Sequence, residues 1–323
     1  MKISKKELKE IVEEELYGIV NEAPPKDAGE FGSRFPIKLS TVDPQSAKDN
    51  VTKGAKDFDG SQDDDIIKVD QSFSTPVENL KPSQSSMNIG KAMGMAIGMM
   101  MGSEAGGMDP GGQLGAFISE DNYIMDGHHR WIATAMVDPS KQIGGFKVDF
   151  PGAELIAVLN AMTAGQFGIT KGKEGSGGFD QFEEGPIRKQ LQTYAREGTP
   201  GKFGKGPEFV ENAIEKFTGK TVEEGGIEAT VEKMVNNLKS VKPFSLPAGA
   251  PDREDMPVLD TDINKDAYTA TINALSAGDV DVNPPFHKDE DEALAESNNL
   301  LSISKKRLNE IIQEELQIYK RSK

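Results

Sequence analysis

The chain contains no cysteine. Disulfides, thiolate metal sites and cysteine nucleophiles are therefore excluded, and the absence fits a reducing compartment. Aromatic residues make up only 7%, with a single tryptophan, and there are only three histidines. Basic residues are outnumbered, 37 Lys and Arg against 53 Asp and Glu, for a formal net charge of −16. A chain of that sign is repelled by phosphate backbones and by anionic membranes. Generic nucleic-acid binding is disfavoured, although a local basic patch could still touch DNA. Long apolar runs are missing too: the most apolar stretch, Ala92 to Met101, is ten residues with two glycines. A span needs roughly twenty, so no transmembrane helix is expected. The charged first fifteen residues show no signal peptide.

Glycine and proline, in contrast, are plentiful, at 34 and 18 of 323 residues, and hydrophobic content is 36%. That balance implies one modest folded core with long loops and linkers. The two ends repeat each other. Ile3-Ser4-Lys5-Lys6-Glu7-Leu8 through Leu16 aligns with Ile303-Ser304-Lys305-Lys306-Arg307-Leu308 through Leu316, with ten of fourteen positions identical. Ser4 and Glu7 form a capping box, and Leu8, Ile11, Val12, Leu16 and Ile19 share one helical face. The organisation expected is an amphipathic helix over 1–21, a linker over 22–70 and a core domain over 71–165. A mostly helical extension follows over 166–245, then an extended, partly disordered linker over 246–299 and the second terminal helix over 300–323.

Within the core, Val77–Leu80, Gly115–Ile118, Asn122–Met125 and Phe146–Phe150 read as short strands. Met87–Met101, Arg130–Val137 and Glu154–Met162 read as helices, giving a mixed α/β (α+β) order. The extension offers helices near 182–196, 208–217 and 222–241. Gly90, Gly94, Gly98 and Gly102 recur every four residues on a methionine-rich helix, which suits close packing on a sheet with methionines filling gaps.

The chemistry concentrates at Asp126-Gly127-His128-His129-Arg130, between an apolar strand and a helix. The first N–H groups of a helix point outward toward any anion. Gly127 permits a sharp turn, Arg130 offers a planar fork for phosphate oxygens, and Asp126 could hold a hydroxyl or a magnesium ion. A blander reading makes the histidines a structural pair that caps the helix or bonds to backbone. A two-histidine metal site lacks a third ligand, so no metal site is assigned. His287 sits in an acidic stretch and reads as solvated. The basic residues between Gly165 and Gly206 exceed acidic ones by only two, which suits a solvated surface better than a DNA patch.

Over Val77 to Phe150 the chain resembles the ParB/sulfiredoxin superfamily. Val77-Glu78-Asn79-Leu80-Lys81-Pro82-Ser83-Gln84 looks like its first box, and Asp126 to Arg130 like its second, a strand, Gly-x-x-Arg turn and helix. The resemblance implies a small mixed-sheet core that binds nucleotide phosphates, with Gly127, Arg130, Ser83 and Gln84 as contacts. It implies catalytic roles for Asp126, His128 and His129. Partition ParB proteins carry Gly-Glu-Arg-Arg in this loop. Sulfiredoxins need a cysteine where His128 stands, so their chemistry is excluded. Free-serine kinases of the superfamily share Asp-Gly-His-His-Arg and add an acid near the first box, for which Glu78 is the candidate, with Gln84 closer to the expected position. ATP, ADP or CTP, with magnesium, are the implied cofactors, and nucleotide-dependent phosphotransfer or hydrolysis is the implied activity.

Two other readings stand beside it. The terminal repeats look like tails on proteins of large tailed bacteriophages, particularly marine ones, and could dock a virion or scaffold component, leaving the loop vestigial. They could equally self-associate into a homo-oligomer. Expected locations are host cytoplasm or virion. A ParB-like nuclease is the third reading, opposed by the acidity.

Overall fold

The computed structural model describes residues 38–45, 47–48, 66–201, 204–259 and 267–280. Both terminal repeats, and much of the sequence assigned to linkers, lie outside the described residues. A five-stranded mixed sheet organises the rest, in the order β1-β5-β3-β4-β2. β1 (Val69–Pro76) and β5 (Gln142–Val148) are antiparallel, β5 and β3 (Gly112–Ile118) parallel, β3 and β4 (Tyr123–Asp126) antiparallel, and β4 and β2 (Lys81–Pro82) parallel.

Alternate residues of the central strands face opposite sides, as the twofold repeat of a strand requires. Ala116, Ile118 and Ile124 enter one core with α1 (Ile89–Met101) and α2 (His128–Val137). Phe117, Tyr123 and Met125 enter a second core with α3 (Gly152–Phe167). The extension consists of α4 (Glu184–Glu197), α5 (Pro207–Thr218) and α6 (Gly226–Asn237). Their buried residues, including Leu191, Ile214 and Val231, join the first core, so this face of the sheet carries a two-layer helical cover. α6 starts later than its apolar pattern suggests, because Gly225 takes a left-handed conformation just before it.

The structure corrects the strand expected at Val77–Leu80. Val77–Asn79 is a single 3-10 turn, closed by Leu80 N–H donating to the Val77 carbonyl at 3.2 Å. Val77 and Leu80 are buried while Glu78 and Asn79 are exposed, which is the i, i+3 pattern of a turn rather than alternation. β1, absent from the sequence reading, is a largely exposed edge strand that ends at a proline. Edge position explains both its weak apolar signal and the tolerated proline. β5 begins four residues earlier than expected. Gly144 and Gly145 belong to it, and a Cβ on Gly145 would lie 2.0 Å from the Ala116 carbonyl oxygen of β3. Gly145 thus marks a close approach of the two strands.

A larger correction concerns the described part of the 246–299 linker, residues 246–259 and 267–280. Met256 and Leu259 are buried, and α7 (Ala267–Ala277) places Ile272 and Leu275 in the second core beside α3. The Leu275 carbonyl also accepts the Ile67 N–H at 3.0 Å. These residues complete the domain. Upstream, Leu39, Val42 and Ala47 pack on Ala161 and Ala164 of α3, so part of the 22–70 stretch is core as well. Among the described residues no helix is long and apolar enough to cross a membrane.

Candidate functional site

The Asp126–Arg130 loop sits at the end of β4, where the chain turns into α2. Gly127 makes the turn with φ +110°, and an added Cβ would stand 3.2 Å from both the Cα and Cβ of Ala116. Glycine is required here on both counts. The first intrahelical bond runs from Trp131 N–H to the Gly127 carbonyl at 2.9 Å, so the preceding N–H groups face outward at the positive end of the helix dipole. The Trp131 indole N–H donates to the Val77 carbonyl at 2.9 Å, fixing α2 against the turn before β2.

A cleft of about 190 Å³ opens over this loop. Gln84, Asp126, Gly127, His128, His129 and Arg130 line it, as the sequence leads one to expect. Lys91, Lys173, Arg253 and Tyr268 also line it, together with Met95, Met125 and the Met256–Leu259 segment. Four cationic side chains and one carboxylate share this wall, in a chain whose formal charge is −16.

Asp126 is heavily engaged. Its Oδ1 accepts the Gly127 N–H at 2.7 Å. Its Oδ2 accepts the Tyr268 hydroxyl and lies 3.5 Å from Arg130 Nη2. Arg130 Nη2 in turn donates to the Gly115 carbonyl at 3.3 Å. Tyr268 stacks on Phe146 at 5.7 Å, and burial, followed by the Asp126 charge, pushes its phenol well above the usual tyrosine range. It is therefore a protonated donor.

His128 and His129 are both buried. Nε2 of His128 accepts the Ser83 N–H at 3.2 Å, and Nε2 of His129 accepts the Asn88 N–H at 3.2 Å. Burial pushes His128 down to about 3; Asp126 opposes the shift and Arg253 adds to it. Burial also holds His129 well below its ordinary value, helped by Arg253 and then Lys91. Both imidazoles are neutral acceptors at Nε2. That accords with backbone-bonding imidazoles and leaves that nitrogen unavailable to pass a proton.

The remaining expected residues divide. Ser83 is buried and spent on structure, its hydroxyl donating to the Ile124 carbonyl. Gln84 reaches the cleft and donates to the Ser86 carbonyl at 2.8 Å. Glu78 is exposed on the 3-10 turn and does not line the cleft, so the structure does not bring it to the other candidates. Among the described residues no group of three or more His, Asp or Glu is placed to hold a metal ion. Asp126, with both oxygens already accepting, does not fit a magnesium ion as arranged. The cationic wall and helix N-terminus do fit phosphate oxygens.

Sequence reasoning missed Lys91, Arg253 and Tyr268, and it placed Lys173 among the basic residues of a solvated surface rather than in the cleft. No spacing links them to the loop; Tyr268 is 142 residues from Asp126.

No protein-family model, curated protein or solved structure matches this chain with significance.

Proposed function

We propose that the cleft binds a phosphate-bearing ligand, a nucleotide such as ATP, ADP or CTP, as the ParB/sulfiredoxin-like resemblance implies. The observation that carries this is the convergence of Lys91, Arg130, Lys173 and Arg253 on the N-terminus of α2, against a single carboxylate, in an acidic chain. Concentrating scarce positive charge in one cleft has a cost in mutual repulsion, which an anionic ligand offsets. The apolar side formed by Met95, Met125, Met256 and Leu259 suits a base or ribose edge.

A bound nucleoside triphosphate would supply a transferable phosphoryl group. Arg130 and the outward N–H groups of α2 would hold its oxygens, and Arg253 and the two lysines would balance charge. Among the described residues that line the cleft, Asp126 is the carboxylate placed to take a proton from an acceptor hydroxyl, once Tyr268 has left its Oδ2. Phosphotransfer or hydrolysis therefore rests on that exchange, whereas binding does not.

Calorimetry with ATP, ADP and CTP tests the reading. Micromolar binding to one of them is expected, and Arg130→Ala should weaken it by about tenfold to a hundredfold, the loss of one charge-assisted contact. Undiminished affinity in Arg130→Ala would falsify the site.

The terminal repeat supports a second reading, docking of a virion or scaffold component with location in the host cytoplasm or the particle. Its motivation is the ten identical positions of fourteen shared by the two ends. Mass spectrometry of purified particles tests it; absence of the chain from particles would count against it.

A further inference from the structure

The segment Ser83–Asn88, between β2 and α1, is where the walls of the cleft are tied together. Ser83 bonds to β4 through the Ile124 carbonyl. Ser85 N–H donates to the Pro251 carbonyl at 2.8 Å, and Ser86 Oγ accepts the Arg253 N–H at 3.0 Å. Met87 exchanges two backbone bonds with the 176–177 loop, each 2.8 Å, a few residues after Lys173. Asn88 caps α1 by accepting the Lys91 N–H at 2.8 Å. Three of the four cations of the cleft are thus attached to this one segment, directly or within a few residues.

Two adjacent residues hold its two ends. Successive positions in the first turn of a helix point about 100° apart, so neighbours can reach separate targets. His128 accepts from Ser83 and His129 from Asn88. The Ser83 hydroxyl, which donates to the Ile124 carbonyl, also lies 3.4 Å from the same imidazole nitrogen, so the backbone N–H of Ser83 depends on His128 while its side chain is held by β4 as well. Charged groups that face the pair are Asp126, Arg130, Lys91 and Arg253.

We propose that His128 and His129 are positioning residues: as a pair of neutral acceptors they clamp the Ser83–Asn88 segment and thereby set Lys91 and Arg253 around the phosphate cleft. Neither imidazole needs to touch the ligand for this. The clamp also gives a physical reason for two histidines in succession. An acceptor must stand at the end of a long planar side chain in each position, and each must remain an acceptor, which a lysine or arginine cannot do.

The ligand-binding part of this inference rests on the nucleotide reading; the clamp itself does not. Glutamine can set its side-chain oxygen near the Nε2 position, so His128→Gln and His129→Gln keep the acceptor while removing the imidazole. Alanine removes both. Amide hydrogen exchange of the full chain reads the clamp at the Ser83 and Asn88 N–H groups. Calorimetry with ATP reads the cleft.

In the alanine variants, exchange should quicken about tenfold at the matching amide, the equivalent of one net hydrogen bond. ATP affinity should fall by a similar factor, and the glutamine variants should restore both to within about threefold. Unchanged exchange in a folded alanine variant overturns the clamp. Glutamine variants with protected amides but alanine-like ATP affinity overturn it as well, because the imidazole itself would then be the ligand contact. Should the alanine variants not fold, fast exchange at these amides in the folded glutamine variants overturns the proposal, and protection supports it. Failure of the native chain to bind ATP overturns the nucleotide reading alone, and the exchange result still decides the clamp.

Discussion

Two buried imidazoles that stay neutral give the molecule a pH dependence of known sign. Unfolded, each binds a proton near pH 6.5; folded, His128 binds one only near 3 and His129 well below its ordinary value. Between those limits the unfolded chain carries more protons, so stability is full above pH 6.5 and is lost as pH falls. For His128 the slope approaches ~1.4 kcal/mol per pH unit. Urea unfolding at pH 7, 5.5 and 4.5 should show this loss, with a shallower slope in a His128→Gln, His129→Gln double variant. Equal slopes would mean the imidazoles are not buried neutral. The Asp-Gly-His-His-Arg loop was legible in the sequence because two of only three histidines stand side by side, flanked by a glycine and an arginine, between an apolar strand and a helix. The roles of its members were not. Whether a histidine transfers a proton or accepts a backbone N–H depends on Ser83 and Asn88, which reach it only through the fold.

At the scale of elements, the four-residue glycine repeat of α1 turns out to be three different things. A Cβ on Gly90 would meet the Tyr194 hydroxyl at 2.9 Å and the capping Asn88 Oδ1 at 3.2 Å. At Gly94 the nearest atom is Thr199 Cβ at 3.9 Å, which is ordinary contact. At Gly98 the nearest atom is Met108 Cγ at 3.6 Å, again ordinary contact, while Gly102, with φ +72°, is the C-cap that ends the helix. Gly94→Ala should therefore raise stability by up to about 1 kcal/mol through helix propensity. Gly90→Ala should lower it by about 1 kcal/mol, because the Tyr194 hydrogen bond to the Gly90 carbonyl and the Asn88 cap are both disturbed. Chemical denaturation of the two variants distinguishes them, and equal effects would contradict this account. Periodicity correctly marked α1 as a packed helix. It could not say which glycine is tight, because Tyr194 and Thr199 arrive from a region about a hundred residues away.

On the scale of the whole molecule, the sheet is covered on both faces, and the second face is completed by residues that read as linker. The stretch from 246 onward read as an extended linker, whereas Met256, Leu259, Ile272, Leu275 and Val280 are buried inside the second core. Core strands β3 and β4 and helices α2 to α6 were legible because each carries enough apolar pattern on its own. β1 was not, being a largely exposed edge strand, and α7 was not, since its burial is supplied by neighbours distant in sequence. Leu275→Ala should cost about 2–5 kcal/mol, the range for deleting a buried leucine. A cost below about 0.5 kcal/mol in urea unfolding would show that α7 is not part of the cooperative fold. The contact between Tyr268 and Asp126 also has a meaning in time. During synthesis at about 5–20 residues per second, the 142 residues between them separate the two sides of the cleft by roughly 7–28 s. A nascent chain that has already made its Asp-Gly-His-His-Arg loop therefore lacks the Tyr268 side of the cleft, which closes only once translation has passed α7.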